Sequence, residues 1–90
     1  MALSSAISGN LLLIDDDEIT LRLLKVNLER AGYAVVFTRT AAEGLEYARR
    51  SSPDLVLTDA LLPDMHGLRV CEMLLENSRT RHIPVIVMSS

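Results

Sequence analysis

The sequence predicts an open parallel α/β sheet covered by helices on both faces. Four short apolar segments alternate with three segments of helical periodicity, and the connections between them are short. The apolar segments are continuous runs, which are typical of strands buried on both faces. Alternating strands and helices with short connections favour parallel strands joined by helical crossovers. Ninety residues, of which 49% are apolar and 23% charged, provide one small domain and exclude a second.

The first half of the chain contains two predicted strands and the helix between them. The first strand covers residues 11–14, a run of four apolar side chains. A helix follows from Asp17 and stops at Gly32, a residue type that favours helix C-termini. The second strand covers residues 33–37, which are rich in aromatic and β-branched side chains. The inward stripe of the helix comprises Leu21, Leu24, Leu28 and Ala31.

The second predicted helix is marked at both ends. Residues 40–43 (TAAE) fit a capping box that opens it, and Ser52-Pro53 close it. The third strand follows at residues 55–57 and ends at Asp59. The expected inward residues of the second helix are Ala41, Leu45 and Ala48.

The third predicted helix runs from about residue 67 to residue 77, after a turn at residues 62–64. A fourth apolar strand at residues 85–88 follows Pro84. For the third helix we expect a polar stripe of Arg69, Glu72 and Glu76 and an inward face of Leu68, Cys71, Leu74 and Leu75.

Composition excludes several classes of function. The net charge of −3 lacks the basic excess that binding to a phosphate backbone requires, so we expect no direct nucleic-acid partner. Apolar runs such as residues 11–14 are far below the roughly 20 residues needed to span a bilayer, so no membrane segment is expected. A single cysteine forms no internal disulfide and favours a reducing, cytoplasmic location. Residues 1–10, without charged side chains or periodicity, are expected to be a mobile leader or linker.

Acidic and hydroxyl side chains follow the predicted strands at their carboxyl ends. Asp15, Asp16 and Asp17 follow the first strand, Asp59 ends the third, and Ser89 follows the fourth. Ligands of open parallel sheets bind beyond these strand ends. A local alternative is that the acids cap a helix and a turn. Clustered carboxylates repel one another unless a cation is present, and an all-oxygen donor set favours Mg²⁺ over zinc.

Three stretches carry a resemblance to a known family. They are residues 12–17 (LLIDDD), residues 54–59 (DLVLTD) with Pro63 and Gly67 after them, and residues 84–89 (PVIVMS). In order and spacing they resemble the response-regulator receiver domain of two-component signalling. The resemblance implies a flavodoxin-like doubly wound fold with strand order 2-1-3-4, and a signalling module rather than an enzyme.

The resemblance also implies roles for residues at the strand ends. Asp59 resembles the phosphoacceptor of the family, and Asp15 and Asp16 resemble its metal-binding acid pair. Ser89 resembles the switch hydroxyl, and the main-chain carbonyl of Leu61 is similar to a further metal ligand of the family. These roles imply Mg²⁺ as cofactor, with Asp59 among its ligands. They also imply a histidine kinase or phosphotransfer protein as partner, with a possible output domain in a longer parent chain.

The sequence departs from the family pattern after the fourth strand. A family receiver continues with a helix, a fifth strand that carries a lysine, and a final helix. Residues 11–90 are therefore expected to be a C-terminally incomplete receiver domain. The single lysine, Lys25, is expected on the outer face of the first helix near Glu29, where it does not replace the family lysine.

Two other functions stay open on the sequence. One is an interaction module that keeps the fold without phosphotransfer, which the missing lysine favours and the complete acid set opposes. The other is a phosphatase, because residues 15–19 (DDDEI) approximate the Asp-x-Asp motif of haloacid-dehalogenase-like enzymes. That motif is short, and such enzymes need a downstream lysine and further acids.

The predicted topology also leaves part of the sheet uncovered. With right-handed crossovers, one helix covers a face of four strands. Four strands make a sheet about 15 to 19 Å wide, whereas a helix with its side chains spans about 10 to 12 Å. We therefore expect the isolated 90-residue chain to form a homodimer or to self-associate in another way.

Overall fold

The computed structural model describes residues 9–89 and contains in them four strands and three helices. Most of the expected leader, residues 1–8, lies outside the described residues. The strands are β1 (Asn10–Ile14), β2 (Ala34–Thr38), β3 (Leu55–Asp59) and β4 (Val85–Met88). The helices are α1 (Glu18–Arg30), α2 (Ala41–Ser51) and α3 (Gly67–Glu76).

All four strands are parallel, and their order β2-β1-β3-β4 confirms the predicted topology. β1 lies inside the sheet with a core on each face. Leu11 and Leu13 pack in the core under α1, whereas Leu12 and Ile14 pack in the core under α2 and α3. Burial on both faces explains why β1 is a continuous apolar run rather than an alternating pattern.

Asn10 begins β1, so placing it in a leader was wrong. Its N–H donates to Oδ2 of Asp54 at 2.8 Å, and its carbonyl accepts from the Asp54 N–H at 2.7 Å. It also pairs with Ala34 of β2. These bonds satisfy a polar residue at the start of the strand, which an apolar pattern does not reveal.

β2 begins one residue later than predicted, because the end of α1 uses the N–H of Tyr33. That N–H donates to the Leu28 carbonyl at 3.1 Å, and the Gly32 N–H donates to the Glu29 carbonyl at 3.0 Å. Gly32 has φ 103°, the left-handed conformation that glycine adopts most readily. These two bonds form a Schellman motif, so Tyr33 belongs to the end of α1 rather than to the sheet.

α2 begins and ends where the sequence predicts. The Thr40 hydroxyl accepts from the Glu43 N–H at 3.2 Å, as in a capping box. The Thr40 hydroxyl also donates to Oε1 of Glu43 at 3.2 Å. Ser52 ends the helix in a left-handed conformation with φ 44°. The expected inward residues Ala41, Leu45 and Ala48 are all buried.

The predicted inward face of α3 was correct at Leu74 and wrong at Leu68 and Leu75, and Cys71 is half-buried. Leu68 and Leu75 are 60% and 57% exposed, whereas Gly67, Val70 and Leu74 are buried. A Cβ atom on Gly67 would lie 2.4 Å from the Asp59 carbonyl oxygen. Because only a glycine fits this close to the β3 backbone, α3 is rotated about its axis so that Gly67 faces the sheet. The polar stripe was correct, since Arg69 lies 3.4 Å from Glu72 and 3.5 Å from Glu76.

The face of the sheet under α1 is incompletely covered at β3 and β4. Leu57 pairs with Ile86 in the parallel register, so both side chains point to this face. Leu57 is half-buried, and Ile86 is 50% exposed. α1 itself therefore shields β1 and β2 better than it shields β4. Within residues 9–89, no helix is long and apolar enough to cross a membrane.

A carboxylate cluster at the carboxyl edge of the sheet

Three carboxylates from two strands meet at one edge of the sheet. Ile14 of β1 pairs with Thr58 of β3. The next residues, Asp15 and Asp59, therefore lie side by side at the ends of these neighbouring strands. Each of Asp15, Asp16 and Asp59 offers an oxygen, and these oxygens lie within 4.8 Å of one another. The parallel topology therefore brings together acids that are more than 40 residues apart in sequence.

Asp15 is the buried member of this cluster, with 5% of its surface exposed. Burial raises the pKa of Asp15, and the charges of Asp59 and Asp16 raise it further. A hydrogen bond of 2.9 Å, donated by the Asp17 N–H to Oδ1 of Asp15, acts in the opposite direction and lowers that pKa. Burial and like charges therefore destabilise the Asp15 carboxylate, and a cation at the cluster would relieve both effects.

Asp17 does not belong to the cluster and instead caps α1. Its Oδ2 accepts hydrogen bonds from the N–H of Thr20, at 3.0 Å, and from the Thr20 hydroxyl. These bonds lower the pKa of Asp17. Asp17 is therefore a helix cap, as the local interpretation predicts, whereas Asp15 and Asp16 lie beside Asp59.

The structure places Ser89 at the same edge, directly after β4. Met88 pairs with Asp59, and the Met88 carbonyl accepts from the Ala60 N–H at 2.8 Å. Ser89 is exposed. Its position one residue beyond the Met88–Asp59 pair puts Ser89 at the carboxyl edge of the sheet, next to the strand that ends in Asp59.

The loop after Asp59 folds back on itself as a tight hairpin. Leu61 and His66 form an antiparallel bridge. Its two bonds run from the Gly67 N–H to the Ala60 carbonyl, at 2.7 Å, and from the Leu62 N–H to the Met65 carbonyl, at 3.3 Å. Neither bond uses the carbonyl of Leu61, which the bridge therefore leaves available to another partner.

Lys25 lies where the sequence predicts, on α1 and away from the cluster. Its Nζ donates to Oε2 of Glu29 at 2.7 Å, a pair one helical turn apart. The chain's single lysine is thus engaged outside the carboxylate cluster.

Sequence reasoning missed two residues of the loop after β3. The Asp64 carboxylate accepts hydrogen bonds from the N–H groups of Ala41 and Ala42, each at 2.9 Å. His66 caps α3, with Nδ1 accepting from the Leu68 N–H at 3.1 Å. Histidine is an unusual cap, and the Asp64 contact spans more than 20 residues, so no local pattern signals either.

Comparison with known proteins identifies the class to which this fold and site belong. The profile of the response regulator receiver domain matches residues 11–90. The chain therefore belongs to the response-regulator receiver family and is a module of two-component signalling. Receiver domains of this family are signalling modules, with an acidic pocket at the strand ends that the cluster described above matches.

Individual relatives agree with this assignment. The polar-differentiation response regulator DivK of Brucella ovis is 36% identical over 81 residues, which cover 90% of this chain and 66% of DivK. The chain thus spans slightly less than two thirds of that relative's length. A sensor protein from a Polaromonas species has a TM-score of 0.85 and 32% identity over 90% of this chain and 65% of its own. The N-terminal domain of a response regulator receiver protein from Methanoculleus marisnigri has a TM-score of 0.83 and 32% identity over 88% of this chain and 64% of its own.

Proposed function

We propose that this receiver domain accepts a phosphoryl group on Asp59 from a histidine kinase or phosphotransfer protein, with Mg²⁺, and passes on a conformational signal. The observation that carries the proposal is the carboxylate cluster, in which Asp15, Asp16 and Asp59 approach within 4.8 Å. The location in this proposal is the cytoplasm.

The residues at the cluster fit a hard divalent cation. Asp15, Asp16 and Asp59 together with the main-chain carbonyl of Leu61 offer only oxygen ligands, which suit Mg²⁺. Burial, and then repulsion by the neighbouring carboxylates, raise the pKa of Asp15, and a divalent cation at the cluster would offset both. The ion would supply charge neutralisation for an incoming phosphoryl group.

In the proposed reaction, the Asp59 carboxylate is the nucleophile that attacks phosphorus. An oxygen of its carboxylate forms a bond to the phosphorus, and the bond from phosphorus to the donor's imidazole nitrogen breaks. The electron pair of the broken bond stays on that nitrogen. The Ser89 hydroxyl then donates a hydrogen bond to a phosphoryl oxygen, which draws the end of β4 towards the site and provides the signal.

The metal site is tested by replacing Asp15 with Asn. Folding raises the pKa of Asp15. The contribution of the Asp15 side chain to the free energy of unfolding therefore falls as pH rises above about 3.9, the pKa of an unfolded aspartate. Near pH 7 in a chelator, Asp15→Asn is therefore expected to increase the free energy of unfolding. The variant should also lose most of the stabilisation that Mg²⁺ gives the wild type, measured by thermal melting with and without the ion.

Asp17→Asn is the matched control for this experiment. It removes the same charge from the same acid run, but Asp17 caps α1 and lies outside the cluster. This variant should keep the full response to Mg²⁺, whereas Asp16→Ala and Asp59→Ala should lose most of it. An equal response in the wild type and in all four variants would contradict the proposed site.

A second candidate is an interaction module that keeps the fold without phosphotransfer. The pairing of Lys25 with Glu29 favours it, because the chain's single lysine is then engaged outside the cluster. Measured Mg²⁺ affinity distinguishes the two, since a pure interaction module has no need of a metal site. Turnover of a generic phosphomonoester would instead support the phosphatase alternative.

We also propose that the isolated 90-residue chain self-associates, as a homodimer or a larger species. Ile86 is 50% exposed on the face under α1, and β4 ends the sheet among the described strands. An apolar strip beside a free strand edge favours pairing with a second copy. Sedimentation should therefore give a mass above that of the monomer. A compact monomer that unfolds cooperatively and binds no hydrophobic dye would contradict this expectation.

A further inference from the structure

The Asp64 carboxylate joins the loop after β3 to the start of α2. Its two oxygens accept the N–H groups of Ala41 and Ala42, each at 2.9 Å. These N–H groups belong to the first turn of α2, where a helix has no backbone acceptors of its own. The same bonds lower the pKa of Asp64, so the carboxylate remains charged when it accepts them. Two charge-assisted hydrogen bonds thus connect elements that are distant in sequence.

Backbone hydrogen bonds hold the base of the loop, and its Leu62 and Met65 side chains pack against the core under α2 and α3. The Ala60 N–H donates to the Met88 carbonyl at 2.8 Å, and the Gly67 N–H donates to the Ala60 carbonyl at 2.7 Å. These bonds tie the two ends of the hairpin to β4 and to each other. The Asp64 side chain, at the tip, adds two hydrogen bonds to the first turn of α2.

We propose that Asp64 is a positioning residue for the metal site, and that it holds the loop so that the Leu61 carbonyl faces the carboxylate cluster. This inference rests on the proposed metal-dependent function. Leu61 lies two residues after Asp59 and three before Asp64, inside the hairpin that Asp64 anchors. The hairpin bridge leaves the Leu61 carbonyl free, so the orientation of that carbonyl depends on the orientation of the whole hairpin.

The simpler alternative is that Asp64 only stabilises α2. Thr40 distinguishes the two, because it caps the same helix without touching the loop. Its hydroxyl accepts from the Glu43 N–H at 3.2 Å. Removal of either cap weakens the first turn of α2 to a similar extent. Removal of Asp64 also breaks the two hydrogen bonds between the loop and α2, which leaves the loop held by its base and by Leu62 and Met65.

The experiment compares Asp64→Ala, Asp64→Asn and Thr40→Ala in the full chain. We expect Asp64→Ala to weaken Mg²⁺ binding about tenfold by titration calorimetry, as is common when a group that orients a metal ligand is lost. Asp64→Asn keeps one acceptor oxygen and should show a smaller loss. Thr40→Ala should bind Mg²⁺ as the wild type does. Equal losses in Asp64→Ala and Thr40→Ala, or no loss in Asp64→Ala, would overturn the proposal.

A second measurement needs no metal. Amide hydrogen exchange in the metal-free chain should become faster at Leu62 and Gly67 in Asp64→Ala and stay unchanged in Thr40→Ala. If the wild type binds no Mg²⁺, the proposed function is wrong, but these exchange rates still test the anchoring. Unchanged rates in Asp64→Ala would then show that Asp64 does not hold the loop, and would overturn the inference independently.

Discussion

Replacing Asp59 with Asn is expected to abolish phosphorylation of the chain. The carboxamide is nearly the same size but is not a nucleophile towards phosphorus, so the proposed bond cannot form. The wild type, incubated with a small phosphodonor and Mg²⁺, should gain one phosphoryl group as an acyl phosphate that is stable in acid and labile in base. Intact-mass measurement followed by peptide mapping checks both the gain and its position. The rate should be low, because the single lysine of the 90 residues, Lys25, pairs with Glu29 on α1 instead of neutralising the phosphoryl oxygens.

Asp54→Asn is the matched control, because Asp54 lies at the other end of the same strand. Its carboxylate accepts the Asn10 N–H at 2.8 Å, on the edge of the sheet away from the cluster. This variant should be labelled as the wild type is. Label on Ser89 or His66, or undiminished labelling of Asp59→Asn, would show that the proposed role of Asp59 is wrong.

Gly67→Ala is expected to cause the largest loss of stability among conservative changes near the site. A Cβ atom there would lie 2.4 Å from the carbonyl oxygen of Asp59 and 3.1 Å from Cα of Ala60. Both are backbone atoms, so no side-chain rotation relieves the overlap, and α3 or the end of β3 must move. Overpacking of this kind costs about 1 to 3 kcal/mol, and we expect the upper end of that range. The higher helix propensity of alanine, at most about 1 kcal/mol, does not offset it.

Urea denaturation measures this loss, and Leu68→Ala serves as its control. Leu68 is the next residue of α3 and is 60% exposed, so its truncation should change the free energy of unfolding little. Gly67→Ala should also lower the rate of phosphorylation, because the displaced backbone carries Asp59. Wild-type stability in Gly67→Ala would mean that α3 moves away from β3 at no cost, which its buried Val70 and Leu74 make difficult.

Much of the fold was predictable from the sequence because the strands are buried on both faces. Residues 11–14 are continuously apolar for that reason, and this pattern indicated a parallel sheet before any contact was known. Parallel strands have their carboxyl ends at one edge, so Asp15 and Asp59 were predicted to share a site, and their oxygens do meet. The helix boundaries at Asp17 and Thr40 were predictable too, since caps are local hydrogen bonds.

Other features depend on contacts between distant parts of the chain, and only the tertiary structure decided them. The rotation of α3 follows from the approach of Gly67 to the Asp59 backbone, so apolar periodicity alone selected the wrong face at Leu68. The Asp64 bonds to α2 join residues far apart in sequence, and a turn residue of this type usually serves its own backbone. Local pattern therefore determined the elements and the edge at which the acids gather. Which side chains orient that edge depends on how one element packs on another. Such contacts leave no periodic signal in the sequence, so only the tertiary structure reveals them.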